Sequence, residues 1–160
     1  MRSVFGRDAL ALGAALIVSQ ATSAAHARGA LEITAMTLLS ARKGVETSIV
    51  PVKQDGVIPY TVGDSCYGWY LEFEPIDGPV VVEEVLSIPG PAEQWNSDQE
   101  SIVAEDRKSA RTTLSFDGRE GTAQNIWCVA EGDPEGPYSF LVSEEGAPIG
   151  VLLRFRLERQ

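Results

Sequence analysis

The sequence predicts an all-β protein, a single antiparallel β-sandwich of seven or eight strands. The clearest sign is near the C-terminus, where apolar and polar side chains alternate over 138–143 and again over 149–157. Alternation with period two is typical of a strand with one face on a core and the other in solvent. Residues 144–148 supply turn chemistry between the two segments, so they should form a hairpin. Turn residues recur roughly every eight to twelve residues through the rest of the chain, which is typical of a sandwich.

The first half of the chain supplies the earlier strands. Its β-branched residues favour an opening strand at 30–39, although that composition would also suit a helix. A loop with short strand pieces follows around 45–52, and Pro59 should push the strand at 57–62 to a sheet edge. The segment 66–74 is the clearest strand of this half, because its large apolar residues share one face.

The second half continues the pattern with strands at 80–88, 109–116 and 122–130. The pair Glu83-Glu84 interrupts the alternation, which predicts a bulge or an edge position. The polar stretch 92–108 should be irregular or helical. A hairpin-type turn is predicted at 117–121.

The N-terminus has the features of a cleavable signal peptide. Arg2 and Arg7 precede an apolar run of about ten residues, too short for a membrane span of roughly 20, and 25–27 form an A-x-A cleavage site. The predicted organisation is therefore a signal peptide at 1–27 and one domain at 28–160. This predicts a periplasmic or secreted bacterial protein with no membrane span.

The mature chain is strongly acidic. Residues 28–160 contain 11 basic and 22 acidic residues. Nucleic acids and anionic membrane surfaces need clustered Lys and Arg, so neither is an expected partner. A basic protein partner or a simple requirement for solubility would both fit.

Two cysteines remain after cleavage, Cys66 and Cys128. An oxidising compartment would join them in a disulfide. Two free or metal-binding thiols are the alternative.

The C-terminal hairpin begins with a recognisable motif. Gly136 precedes Tyr138 by two residues and Phe140 follows it by two. This spacing resembles the tyrosine corner of immunoglobulin-like sandwiches, in which the Tyr at the start of strand F bonds to nearby backbone. Together with C-x-x-W-x-L-x-F from residue 66, a Val-rich strand ending at Pro89, W-C and D-P-x-G-x-Y-x-F, the order of motifs over 66–157 resembles small exported bacterial proteins that are single Ig-like domains of uncharacterised families.

The resemblance has one departure. In antibody-type domains the second paired cysteine lies two residues after the corner tyrosine. Phe140 occupies that place here, and Cys128 lies ten residues before Tyr138. A disulfide must therefore join different positions. The resemblance implies no activity.

Several kinds of chemistry lack the residues they need. The single histidine, His26, lies in the signal peptide, which removes Ser-His-Asp triads, Cys-His pairs and His-ligated metals from the mature chain. We therefore expect no catalytic residue, metal or cofactor. Carboxylate pairs such as Glu72 with Glu74 or Glu144 with Glu145 could act in a hydrolase. Acidic loops such as 117–120 could bind calcium, but they lack EF-hand spacing.

The aromatic residues offer two candidate binding positions. Trp95 follows a Pro-Gly-Pro turn and should either cover an open end of the sandwich or project as an interface anchor. Tyr70 faces away from Trp69 and is the second candidate.

Three functions fit these observations. The first is an exported non-enzymatic binding module whose partner is a protein or cell-envelope component. The second is a carboxylate-dependent hydrolase, which requires a cleft with two facing carboxylates, one with a raised pKa. The third is a structural subunit of an envelope assembly, which requires an exposed apolar patch.

Overall fold

The described residues of the computed structural model, 31–95 and 101–159 without the side chains of 46–48, form two β-sheets that pack face to face. The predicted signal peptide lies outside these residues. None of the described segments is a helix that could cross a membrane. The ten strands found in them are β1 Ile33–Arg42, β2 Val45–Val52, β3 Gly56–Pro59, β4 Ser65–Phe73, β5 Pro79–Ser87, β6 Ser101–Val103, β7 Ser109–Asp117, β8 Thr122–Cys128, β9 Gly136–Glu144 and β10 Val151–Glu158.

The strand order is that of an immunoglobulin-like sandwich. One sheet has the order β2-β1-β4-β8 and the other the order β3-β10-β9-β5-β7-β6. With β4 and β8 as strands B and E, and β5, β9 and β10 as strands C, F and G, the sheets match the Ig-like division of strands. The all-β sandwich prediction is therefore confirmed.

Two details of that prediction change. The described residues contain ten strands rather than seven or eight, because 45–52 is one continuous strand and β6 lies within the stretch predicted as irregular or helical. The sandwich is also not wholly antiparallel, since β3 pairs in parallel with β10. Pro59 ends β3 at the edge of its sheet, as predicted.

Two further predictions are wrong. Residues 118–120 form a single 3₁₀ turn that carries the chain from the six-stranded to the four-stranded sheet, so 117–121 is not a hairpin turn. The pair Glu83-Glu84 lies in β5, an interior strand in continuous register with both β7 and β9. Glu84 faces inward in phase with Val82 and Leu86, so the alternation continues through it.

The core lies between the two sheets. The predicted hairpin of β9 and β10 is confirmed, with Tyr138 opposite Phe155 and Phe140 opposite Leu153. Trp69 of β4 is fully buried between the two sheets, as its predicted inward position requires. Ile149 lies before β10 and is 82% exposed, so the second strand of the hairpin begins two residues later than its alternation suggested.

Candidate functional site

Three connections meet at one end of the sandwich, which we call the acidic end. They are the β4–β5 loop, the β7–β8 turn and the β9–β10 loop. The Phe73 amide donates to the Gly121 carbonyl at 2.9 Å, and the Ile76 amide donates to the Gly118 carbonyl at 3.0 Å. These bonds join the first two connections to each other.

The N-terminal segment and the hairpin loop complete this end. The Glu74 amide donates to the Glu32 carbonyl at 3.0 Å, and the Leu31 amide donates to the Glu144 carboxylate at 2.7 Å. The Glu145 amide donates to the Val81 carbonyl at 2.9 Å. Four separate stretches of chain are therefore fixed relative to one another by hydrogen bonds, one to the Glu144 carboxylate and the others between backbone groups.

The β7–β8 turn is built from local sequence signals. The Asp117 carboxylate accepts from the Arg119 amide at 3.1 Å and so begins the 3₁₀ turn. Gly121 ends it at φ 65°, a left-handed conformation that glycine adopts without steric cost. A Cβ at Gly118 would lie 2.5 Å from the Gly78 carbonyl oxygen, so only glycine permits this close approach of two loops.

The acidic end carries eight carboxylates and one guanidinium. Seven of the acids are exposed and Glu144 is half-buried. The base, Arg119, forms an exposed ion pair with Asp77 at 3.2 Å, a contact worth little in water. The acids are Glu32, Glu72, Glu74, Asp77, Asp117, Glu120, Glu144 and Glu145.

This charge is not arranged as a metal centre. Within 31–95 and 101–159, no three His, Cys, Asp or Glu side chains are placed to hold a metal ion together. The carboxylates instead spread over four stretches of chain. Such a surface attracts cationic groups over an extended area and does not focus on one ion.

The opposite end of the sandwich is closed by aromatic packing. The Tyr138 hydroxyl donates to the Pro134 carbonyl at 2.7 Å, a bond of the tyrosine-corner type, and Gly136 adopts φ 130° just before it. The Tyr60 hydroxyl donates to the Asp133 carbonyl at 2.8 Å. These bonds fix the loop that leads into β9.

Trp95 covers this same end. Its ring lies 6.1 Å from that of Trp127 in an edge-to-face arrangement, and its indole N–H donates to the Arg107 carbonyl at 3.3 Å. The side chain is half-buried. Tyr70 is also half-buried but lies on the outer face of the four-stranded sheet, between Thr37 and Gln124 of the neighbouring strands. The structure does not bring Trp95 and Tyr70 together.

The two cysteines form a disulfide. Cys66 and Cys128 are directly opposite each other on β4 and β8, with a Cα–Cα distance of 3.9 Å. The bond therefore joins neighbouring strands of one sheet, whereas antibody domains link strands of different sheets.

A buried carboxylate joins the two sheets in the core. Glu84 of β5 is fully buried and accepts hydrogen bonds from three side chains of the facing sheet. The Trp127 indole N–H donates at 2.7 Å, the Asn125 amide donates at 2.9 Å, and the Trp69 indole N–H also donates to it. Burial raises the pKa of the Glu84 carboxyl, and the three hydrogen bonds partly offset that rise.

This network is not among the features predicted from the sequence. The pair Glu83-Glu84 predicts a bulge or an edge position, although Glu84 continues the inward phase of β5. A second signal was present, since buried tryptophans need an acceptor for each indole N–H. The carboxylate has a raised pKa, but it faces indoles and an amide, not the second carboxylate that a hydrolase cleft requires.

The outer face of the six-stranded sheet carries an apolar row that Arg111 interrupts. Leu152 lies opposite Leu141, and Leu141 lies opposite Val85. Arg111 follows next to Val85, and Ile102 lies beyond it. Leu141, Leu152 and Ile102 are 42%, 47% and 73% exposed.

One family model matches the chain. The model of the PM0630 beta sandwich domain matches residues 37–156, which covers β2 to β9 completely and most of β1 and β10. The chain therefore belongs to this family of β-sandwich domains. No curated protein matches it significantly.

Proposed function

We propose that this member of the PM0630 β-sandwich family is an exported, non-enzymatic binding module whose acidic end contacts a basic protein or a cationic component of the cell envelope. One observation carries the proposal, the concentration of eight carboxylates beside a single guanidinium on four interlocked stretches of chain. Opposite charges that face each other accelerate association and exclude like-charged competitors.

The position of these charges supports the proposal. Loops that cluster at one end of a sandwich are the usual binding surface of Ig-like variable domains, because the sheets hold them while their sequences differ. Here the sheets and the loop-to-loop hydrogen bonds hold the carboxylates in place before a partner arrives. A preorganised surface loses less conformational entropy on binding.

Export is supported by the disulfide between Cys66 and Cys128, since such bonds persist in oxidising compartments. We expect the protein from the producing cell to begin at Arg28, after cleavage behind Ala27. Mass spectrometry of the intact exported protein checks this. A cytoplasmic protein that retains Met1 would contradict export.

The binding experiment uses the mature domain with a lysine decapeptide, and a glutamate decapeptide as the control probe. We expect the lysine peptide to bind at low salt and to weaken steeply between about 50 and 300 mM salt, because exposed charges are screened over about 10 Å. No detectable binding to the lysine peptide at low salt would contradict the proposal.

Two matched variants locate the site. The acidic-end triple variant carries Glu74→Lys, Glu120→Lys and Glu145→Lys. The opposite-end triple variant carries Glu93→Lys, Glu105→Lys and Glu131→Lys, which changes the net charge equally at exposed positions. In capture from an envelope extract, basic proteins should be retained by the wild type and the opposite-end variant and lost by the acidic-end variant.

The structural-subunit alternative is favoured by the apolar row of Leu152, Leu141, Val85 and Ile102. It predicts binding that resists salt and depends on that row. Capture that survives high salt and is abolished by Leu141→Glu, but not by the acidic-end triple variant, would replace our proposal with this one.

A further inference from the structure

The four sheet edges in the described part of the chain differ in how they resist further strand pairing. β3 has four residues and ends in Pro59, β6 has three residues, and β2 contains Pro51. Short edge strands and edge prolines are common ways to block association through an open edge. β8 has none of these features, since its seven residues contain no charge and no proline and pair with β4 without a register shift.

The register shows which backbone groups of β8 are open. The Val129 amide donates to the Ser65 carbonyl at 2.8 Å, and the Phe73 amide donates to the Gly121 carbonyl at 2.9 Å. Hydrogen-bonded pairs alternate along an antiparallel ladder, so the odd-numbered residues of β8 bond to β4. The N–H and C=O groups of its even-numbered residues point outward from the edge, in the plane of the sheet and away from β4. No strand in 31–95 or 101–159 pairs with them.

We propose that β8 pairs with β8 of a second copy of this chain, antiparallel, about a twofold axis at Asn125. The four outward residues lie symmetrically around that axis. Thr122 would face the partner's Cys128, and Gln124 would face the partner's Ile126. All four side chains are uncharged, so no like charges meet across the new pair.

Electrostatics select the orientation of the second copy. Each copy is strongly acidic, and its acidic end lies next to Thr122, where β8 begins. Antiparallel pairing directs the two acidic ends to opposite ends of the dimer, where their repulsion is smallest. A parallel arrangement would place the two sets of carboxylates side by side.

An apolar hollow beside the edge supports the same interface. A cavity of about 330 Å³ on the outer face of the four-stranded sheet is lined by the disulfide, Val45, Ile49 and Ile126, and also by the charged residues Arg42 and Lys43. Ile126 is half-buried in the single chain. Pairing at β8 would place the partner's Gln124 against Ile126 and remove more of this apolar surface from water.

A dimer would also present two acidic ends at once. The next consequence rests on the proposed function. If the acidic end binds cationic partners, two such ends raise the apparent affinity for a partner with repeated cationic sites. Dimerisation itself does not depend on that function. A monomer that binds the lysine peptide would overturn the dimer alone, and a dimer that does not bind it would overturn the function alone.

Sedimentation equilibrium of the mature chain over about 1 to 500 µM tests the interface, a range suited to a small interface of modest affinity. We expect a monomer–dimer equilibrium. Gln124→Pro removes an outward N–H that the β4–β8 ladder does not use, and edge strands tolerate proline. We expect this variant to raise the dimer dissociation constant at least about tenfold, whereas Gln124→Ala, which keeps the N–H, leaves it unchanged.

A second variant guards against a folding defect. Ile126→Lys places a positive charge at the edge, close to the same charge on the partner copy, and it should weaken the dimer similarly. Thermal unfolding of this variant should show that the fold is retained. If Gln124→Pro does not fold, Ile126→Lys decides the question. A chain that is monomeric throughout the range, or a dimer that neither variant weakens, overturns the proposal.

Discussion

The two ends of the sandwich carry the same number of acids in the described residues but differ in their bases. The acidic end has eight carboxylates and one base. The opposite end, formed by residues near 42–43, 64, 93, 105–108, 131–135 and 158–159, has eight carboxylates and five bases. The local excess of negative charge therefore comes from the smaller number of Lys and Arg residues at one end, one against five.

The ends also differ in what holds them together. The opposite end contains the tyrosine-corner hydrogen bond, the packing of Trp95 on Trp127 and the disulfide. The acidic end consists of short turns joined mainly by backbone hydrogen bonds, with seven of its eight carboxylates exposed. We therefore expect most of the stability to come from the core and the opposite end, so that substitutions at the acidic end should cost little.

The largest expected loss of stability comes from a change at the opposite end of the sandwich. Replacing both Cys66 and Cys128 with alanine should lower the free energy of unfolding by about 4 kcal/mol, because the unfolded chain is no longer closed into a long loop. Denaturant unfolding of the double variant and the wild type measures this. A loss no larger than that of an exposed control such as Val57→Ala would contradict the expectation that the opposite end contributes more to stability than the acidic end.

The buried network in the core should rank second. Glu84→Gln replaces one accepting oxygen with an amide N–H₂ that cannot accept from the indole or amide donors, and we expect a loss of about 2 kcal/mol. Glu83→Gln on the outer face is the matched control and should change stability little. Equal effects of the two variants would show that the network contributes nothing.

The tyrosine corner should have a smaller effect. Tyr138→Phe removes the hydrogen bond to Pro134 but keeps the ring, so we expect a loss of about 1 kcal/mol. Tyr70→Phe, at the half-buried position on the outer face, serves as the control. A shift in unfolding midpoint that is the same for both variants would contradict a specific role for the corner.

The pH dependence of stability sharpens the assignment to Glu84. Burial raises its folded-state pKa above the unfolded value, so the folded protein binds this proton more tightly. The stability linked to this group is present below the unfolded pKa and is lost as pH rises through the raised value. We therefore expect the wild type to gain stability relative to Glu84→Gln as pH falls from about 7 toward the ordinary glutamate range. A constant difference in unfolding free energy between the two proteins across this range would contradict a raised pKa of Glu84.

The smallest effect on stability is expected at the acidic end. The triple variant with lysine at 74, 120 and 145 removes like-charge repulsion and touches no buried group, so its unfolding free energy should stay within about 0.5 kcal/mol of the wild type or rise slightly at low salt. Thermal unfolding at two salt concentrations checks this. A large destabilisation would mean that this end also carries the fold.

Much of the fold could be predicted because alternation is a local signal. The hairpin of β9 and β10, the inward face of β4 and the edge position of Pro59 all follow from a few neighbouring residues. The connection at 117–121 could not be distinguished in this way, since the same turn residues suit a hairpin and a crossover between sheets.

The site was harder to predict for a related reason. The acids of the acidic end are scattered over 32–145, and only the pairing of strands brings them together. The bulge or edge predicted from Glu83-Glu84 is wrong because a charge in an apolar strand usually marks such a position, whereas here the facing sheet supplies three donors to Glu84. Both features depend on contacts between residues far apart in the sequence.

Calorimetric titration of the lysine decapeptide into the wild type and the two triple variants tests the central claim most directly. We expect at least a tenfold loss of affinity for the acidic-end variant and less than about a twofold change for the opposite-end variant. The reason is that binding depends on the charge at the acidic end and not on the net charge of the chain. Equal losses in the two variants would contradict it, because only net charge would then matter.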